Sequence, residues 1–170
     1  MASSLFRINE TKSNYNWSTY KWCNGAYNKL TKYCPADKTD YWDVSGSPDN
    51  KIVLDLEDDA ARTYLGDKWR MPSDKEWTAL RNECTWTWTT VNRKHGYYIT
   101  AANGNSIFLP AAGYRLDSDL DNAGSDGNYW SSSLYTDGPY YAWYVYFYSS
   151  NVSRNYGSRY YGFSVRPVSE

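Results

Sequence analysis

The strongest pattern in this chain is the heptapeptide Ala-Trp-Tyr-Val-Tyr-Phe-Tyr at residues 142–148. Successive side chains of a β-strand point to opposite sides, so this segment has two different faces. The apolar face consists of Trp143, Val145 and Phe147, and the tyrosine face consists of Tyr144, Tyr146 and Tyr148. The alternation predicts a strand that is anchored on the core by its apolar face and presents its tyrosines to solvent. A strand buried on both faces is the alternative.

The sequence around this strand has the composition of a binding surface. Residues 133–141 and 149–161 consist mainly of Tyr, Ser, Asn, Gly and Asp, and the last lysine of the chain is Lys94. Tyrosine offers contact area and a hydroxyl at a low cost in conformational entropy, and interfaces are poor in lysine. Low-complexity disorder would produce a similar composition. Regularly spaced apolar residues argue against disorder: Trp130, Leu134, Val152 and Val165.

The length, charge and composition of the chain limit the classes of protein to which it can belong. With 170 residues it is expected to be a single domain, 1–170. The 18 basic and 19 acidic residues nearly cancel, which disfavours binding to nucleic acid. No apolar run is long enough to span a membrane, and residues 1–10 lack the layout of a signal peptide. The 19 tyrosines and 9 tryptophans exceed what a core of this size requires, so many are expected at the surface.

The order of predicted elements indicates an α+β fold. Residues 54–65 predict a helix with Leu56, Ala60, Ala61 and Tyr64 on one side. A second helix is predicted after Ser73, whose side chain forms a capping box with Glu76. From Trp86 onward the hydrophobic period changes to 2, which predicts short antiparallel strands. The segments 97–100 and 106–109 are joined through Asn103-Gly104, a strong hairpin signal. The first fifty residues predict only loops and short strands.

Four motifs resemble one known family. They are Trp-Arg-Met-Pro-Ser-Asp-Lys-Glu-Trp at residues 69–77, Asn-Ser-Ile-Phe-Leu-Pro-Ala-Ala-Gly-Tyr-Arg at 105–115, Asn-Tyr-Trp-Ser-Ser-Ser at 128–133 and Gly-Phe-Ser-Val-Arg-Pro-Val at 162–168. Together they resemble the variable proteins of diversity-generating retroelements from gut Bacteroidetes and their phages. This group is related to the Fibrobacter succinogenes major paralogous domain family. The resemblance covers residues 40–168 and implies a C-type lectin fold with a loop-rich C-terminal binding face. Residues 1–40 depart from it as an atypical, shortened N-terminal part.

The resemblance also implies which residues bind the ligand. In such proteins the adenines of a template are randomised, so that asparagine codons become codons for Tyr, Ser, Asp, Gly or Phe but never for Lys, Glu or Trp. Residues 129–168 would then be the variable, ligand-binding region. The implied binding residues are Tyr135, Asp137, Tyr140, Tyr141, Tyr144, Tyr146, Tyr148, Ser150, Ser153, Asn155, Tyr156, Ser158, Tyr160, Tyr161 and Phe163.

Groups suited to catalysis or to a cofactor are scarce. His95 is the only histidine, so no histidine-based triad is predicted and we expect no enzyme and no cofactor. Cys23, Cys34 and Cys84 are interpreted as free thiols, with a Cys23–Cys34 bridge as the alternative. Formylglycine-generating relatives depend on a C-terminal cysteine pair, and no cysteine follows Cys84.

A calcium site is a second-choice hypothesis for one acidic loop. Its carboxylates alternate along the chain and belong to Asp117, Asp119, Asp121 and Asp126. The loop does not match the helix-loop-helix calcium pattern, because Asn122 occupies the position of the tight-turn glycine and Asn128 that of the closing glutamate.

These observations predict a non-catalytic binding protein for receptor binding or adhesion, with a hypervariable tyrosine-rich surface. Its partner would be a protein or a glycan on a cell surface, and its expected location is a virion or a bacterial cell surface. A glycan-binding lectin of fixed specificity, or a subunit of a surface fibre or pilus tip, is the alternative.

Overall fold

The computed structural model describes residues 13–169. Its helices are α1 (Ala60–Leu65) and α2 (Asp74–Glu83), and short 3₁₀ turns occur at Trp17–Thr19, Thr39–Tyr41 and Leu56–Asp58. Its strands are β1 (Trp69–Arg70), β2 (Thr85–Val91), β3 (Lys94–Thr100), β4 (Ser106–Pro110), β5 (Tyr114–Leu116), β6 (Asp119–Asp121), β7 (Gly127–Leu134), β8 (Tyr141–Tyr148), β9 (Asn151–Ser158) and β10 (Val168–Ser169). The predicted α+β class, with two helices and several short antiparallel strands, is confirmed.

The strands form small antiparallel sheets rather than one large one. The order is β2-β3-β4 in one sheet and β7-β8-β9 in another, and β5 pairs with β6. The last strand, β10, returns to pair with β1, which brings Val168 opposite Arg70. The two three-stranded sheets enclose the core together with α2.

Helix α2 begins as its sequence predicts. The Ser73 side chain accepts a hydrogen bond from the Glu76 amide, and the Glu76 carboxylate accepts one from the Ser73 amide at 2.8 Å. The helix buries Trp77, whose indole N–H donates to the Trp130 carbonyl oxygen at 3.1 Å. This contact fixes α2 against β7.

The predicted helix at residues 54–65 is wrong in its extent. The α-helical part begins only at Ala60, because the Asp59 carboxylate accepts hydrogen bonds from the amides of Ala61 and Arg62 and so caps a new start. The preceding residues form a 3₁₀ turn in which Leu56 is 55% exposed. Local capping at Asp59 therefore outweighed the apolar periodicity across the boundary.

Turn chemistry accounts for the β2-β3-β4 sheet. Asn92 and Arg93 have φ values of 49° and 64°, which is the two-residue geometry that suits the twist of a hairpin. The predicted Asn103-Gly104 turn joins β3 to β4, with Gly104 at a φ of 84°. The tryptophans of β2 point toward the core, where Trp86 and Trp88 contact Phe147 at ring-centroid distances of 6.2 and 6.4 Å.

The core is centred on Phe147, which is fully buried. Its ring lies over Gly127 of β7, where a Cβ atom would approach the ring to 1.9 Å. Glycine is therefore required at position 127 for close packing of β7 on β8. Tyr97 and Tyr129 pack against the same ring and are themselves buried.

The N-terminal part of the described chain has little regular structure, as expected from its sequence. Single β-bridges link Leu30 to Cys23 and to Trp42, and Tyr15 to Asp117. The predicted features of residues 1–10 lie outside the described residues. None of the helices within residues 13–169 has the length and apolar character needed to cross a membrane.

Candidate ligand-binding surface

The apolar face of β8 is divided into a buried part and an exposed part. Val145 and Phe147 are 1% and 0% exposed and belong to the core cluster with Trp77. Trp143 was expected to join them, but it is only partly buried and lies outside that cluster. Helix α2 packs over one end of the face and leaves the Trp143 end to other partners.

Trp143 is covered by an arginine instead of by the core. The Arg154 guanidinium carbon lies 3.2 Å from the centroid of the Trp143 ring. Asp74, the first residue of α2, holds this guanidinium by two hydrogen bonds of 2.7 and 2.9 Å. The bidentate pair fixes the orientation of the guanidinium, which lies over the Trp143 ring.

The tyrosine face of β8 is partly buried at Tyr144 and Tyr146 and exposed at Tyr148. Tyr144 packs against Phe163 and Trp130 at 4.6 and 5.7 Å, and burial raises its pKa to about 12. The Tyr146 hydroxyl donates to the Asp126 carboxylate at 3.3 Å, and only Tyr148 is clearly exposed, at 39%. The prediction that all three tyrosines stand in solvent is therefore confirmed for Tyr148 and wrong for Tyr144 and Tyr146, which are partly buried.

Seven aromatic side chains in mutual contact form a second feature, which we call the aromatic strip. Its members are Trp143, Tyr135, Tyr156, Tyr141, Tyr140, Tyr27 and Tyr41. Tyr135 and Tyr156 stack in parallel with centroids 4.2 Å apart. Tyr156 is 43% exposed and Tyr27 is 49% exposed, so the strip has exposed positions toward both ends.

The strand register places the strip on the same face as the core. Tyr156 directly opposes Trp143 across β8 and β9, and Arg154 opposes Val145. Tyr141 and Tyr156 therefore continue the core face of β8 and β9 beyond the helix, a placement that the sequence did not predict, whereas the exposed Tyr148 lies on the opposite face as predicted. On the core face, the buried positions and the partly exposed positions are separated along β8.

Two members of the strip come from outside the predicted binding region. Tyr27 and Tyr41 lie in the N-terminal part, and both contact Tyr140, at 5.2 and 5.4 Å. The N-terminal part has no hydrophobic period from which these contacts could be predicted. The only available signal was the presence of aromatic residues among turn formers.

The other predicted binding residues are distributed over several surfaces. Asp137 lies exposed between β7 and β8, and its negative charge adds to burial in raising the pKa of the Tyr135 hydroxyl. Ser150 and Asn155 are exposed, while Ser153 and Ser158 are partly buried. Tyr160, Tyr161 and Phe163 belong to a separate aromatic group, in which Tyr160 contacts Trp17 and the other two contact Tyr114.

The acidic residues proposed as calcium ligands are not gathered in one place. Asp117 accepts a hydrogen bond from the Asn16 side chain at 3.0 Å. Asp126 accepts from the Asn122 side chain at 3.0 Å as well as from Tyr146. Within residues 13–169, the only three carboxylates close enough to share one ion are those of Asp55, Glu57 and Asp58.

A lysine ammonium occupies that three-carboxylate cluster. Lys32 Nζ lies 2.7 Å from Asp55, 3.3 Å from Glu57 and 2.5 Å from Asp58. The Tyr33 hydroxyl also donates to Asp58, and the hydrogen bonds from Lys32 hold the pKa of the Asp55 carboxyl below its usual value. The cluster therefore has its own cation.

The remaining reactive groups are three cysteines and one histidine. The three cysteines are free, and burial raises the pKa of the Cys34 thiol to about 11, so it is a poor nucleophile. His95 is exposed and lies in strand β3. Its Nδ1 is 3.0 Å from the Thr90 hydroxyl.

The fold and this surface define an α+β protein whose aromatic strip is built mainly on β8 and β9. The chain belongs to a family described as a domain of unknown function, DUF8237, whose model matches residues 81–168. The matched region runs from α2 to β10 and contains five of the seven strip residues. Neither a curated protein nor a solved structure matches the sequence.

Proposed function

We propose that this protein is a non-catalytic binding protein that attaches to a receptor on a cell surface through the aromatic strip. The contact of seven aromatic rings at a partly exposed surface carries this proposal. Contiguous apolar side chains that reach the surface characterise interaction sites. Tyrosine and arginine are the residues that interfaces favour, and Arg154 lies against the strip.

A C-type lectin fold and a retroelement origin belong to the same proposal. The two helices followed by antiparallel strands support the fold, and the family motifs quoted above support the origin. Most members of the strip come from residues 129–168, the proposed variable region. Diversification of Tyr135, Tyr140, Tyr141 and Tyr156 would then change specificity on a framework held by Phe147. The corresponding location is a virion or a bacterial cell surface.

The residues that would be diversified are different from the residues that form the core. Val145 and Phe147 are buried, whereas Tyr156 is 43% exposed and makes its contacts mainly with other strip members. Replacement of Tyr156 therefore changes the surface with little effect on the core. Tyr144 is a poorer candidate for diversification, because it packs on Phe163.

The test is binding of fluorescently labelled protein to a panel of intact gut Bacteroidetes cells. The double variant Tyr141→Ala/Tyr156→Ala should lose at least about tenfold in affinity, because each interface anchor contributes up to about 2 kcal/mol or more. Tyr98→Ala is the matched control, because Tyr98 is 42% exposed and lies outside the strip. Unchanged binding by the double variant would overturn the proposal.

Three further tests distinguish the versions of this function. Protease treatment of the cells should abolish binding to a protein receptor, whereas periodate oxidation should abolish binding to a glycan. A near-identical repeat of the codons for residues 129–168, with adenines at the proposed variable positions and a reverse transcriptase nearby, would identify a retroelement target. Absence of the repeat leaves a fixed binding domain.

A further inference from the structure

A cleft of about 500 Å³ lies apart from the aromatic strip. Its walls come from the N-terminal part, the segment before α1, the β5-β6 hairpin, β7 and the segment after β9. This volume is in the range of pockets that bind small organic ligands.

The cleft has an aromatic interior and an aliphatic rim. Trp22, Tyr114, Trp130 and Phe163 are among the aromatic side chains that line it. The rim includes Ile52, Val53 and Leu120, which are 47%, 51% and 51% exposed. Aliphatic side chains this open to water at a concave site favour a ligand with an apolar body.

Two arginines line the same cleft, and neither forms an ion pair with a carboxylate of residues 13–169. Arg159 is 8% exposed and donates hydrogen bonds only to uncharged oxygens, those of Tyr20, Lys32, Tyr33 and Pro139. Its charge is therefore not neutralised locally, although its hydrogen-bonding capacity is nearly used.

Arg115 is the arginine of the cleft that has unused hydrogen-bonding capacity. It is partly buried, and its guanidinium has no hydrogen-bond or ion-pair partner within the described chain. The acidic group on the cleft wall, Asp58, is already bonded to Lys32 and Lys21 at 2.5 and 3.2 Å. The cleft consequently combines an apolar interior with an excess of positive charge.

We propose that this cleft binds a small amphipathic anion, with an aromatic or aliphatic body in the cleft and its acidic group on Arg115. Arginine suits this role because its planar fork of donors pairs with carboxylate, sulfate or sulfonate groups by two parallel hydrogen bonds. The site is separate from the aromatic strip and independent of the proposed receptor binding.

The test is a fluorescence titration of the intact protein with anilinonaphthalene sulfonate, an aromatic anion, and with the uncharged dye Nile red. Arg115→Gln should weaken sulfonate binding about tenfold, since hydrogen bonds to charged groups are among the stronger ones, and leave Nile red binding unchanged. Arg93→Gln is the matched control, because Arg93 is exposed in the β2-β3 turn and does not line the cleft.

A second pair of variants tests the location. Val53→Asp places a carboxylate on the rim and should weaken binding of both dyes, whereas Val44→Asp, at a position that is 45% exposed and outside the cleft, should not. Equal sulfonate binding by wild type and Arg115→Gln, no dye binding by the wild type, or indifference to Val53→Asp would each overturn the proposal. Circular dichroism confirms that every variant compared is folded.

Discussion

Arg159 Nε donates a hydrogen bond of 2.8 Å to the Tyr20 hydroxyl across 139 positions of the sequence. The same guanidinium binds the carbonyl oxygens of Lys32, Tyr33 and Pro139. One side chain thus ties the N-terminal part to the turn between β7 and β8. This connection holds Tyr27 and Tyr41 beside Tyr140 and so assembles the aromatic strip from two distant parts of the chain.

Replacement of Arg159 should be strongly destabilising. Arg159→Met removes the donors of four buried or partly buried oxygens, and buried acceptors left without partners cost about 1 to 3 kcal/mol each. We expect a loss of at least about 3 kcal/mol in the free energy of unfolding, measured in urea. Arg159→Lys should recover little of it, because an ammonium cannot reproduce the planar fork. A loss below about 1 kcal/mol would contradict the structural role.

Phe147 and Trp143 should differ in their effect on stability although they share one strand face. Phe147→Ala opens a cavity in the core and should cost about 3 to 5 kcal/mol. Trp143→Ala should cost less, about 1 to 2 kcal/mol, because Trp143 is only partly buried and loses mainly its contacts with Arg154 and the tyrosines. Comparison of the two urea midpoints tests this order. Equal costs would place Trp143 in the core after all.

Glu76 should make stability depend on pH in the acid range. The hydrogen bonds from Arg70 lower its pKa from 4.5 to about 2 in the folded protein. A depressed folded pKa contributes stability that is complete above the ordinary pKa and is lost as the pH falls through the folded one. Unfolding free energies should therefore decline between pH 4.5 and about 2. Since the Glu76 side chain is 43% exposed, solvent screening keeps this contribution modest.

Glu76→Gln should flatten this part of the pH profile, and Glu83→Gln at the end of the same helix serves as the control. Identical acid profiles for the wild type and Glu76→Gln would show that the Arg70 contact does not persist in solution.

Removal of divalent cations should leave the melting temperature unchanged. The carboxylates of Asp55, Glu57 and Asp58 are neutralised by Lys32, and Asp117 and Asp126 are bonded to asparagine side chains. Thermal unfolding with calcium and with a chelator checks this expectation. A calcium-dependent rise in the melting temperature would revive the acidic loop as a cation site.

Local patterns were sufficient to predict the elements whose energetics are local. The Ser73–Glu76 capping box predicted the start of α2, and the Asn103-Gly104 turn predicted a hairpin. The alternation at residues 142–148 predicted β8 and the burial of Val145 and Phe147. Each of these depends on hydrogen bonds or side-chain directions within a few residues.

The composition of the binding region was likewise visible in the sequence, but its arrangement depended on contacts between distant segments. Whether Trp143 is covered depends on how far α2 extends over β8, and whether Tyr144 is covered depends on the segment after β9 that brings Phe163 against it. Neither is encoded within β8. Tyr27, Tyr41 and Arg159 acquire their roles only when the N-terminal part packs against the β7-β8 turn. Strand periodicity determines which side of β8 a residue occupies, while tertiary packing alone decides which parts of each side remain open to a ligand.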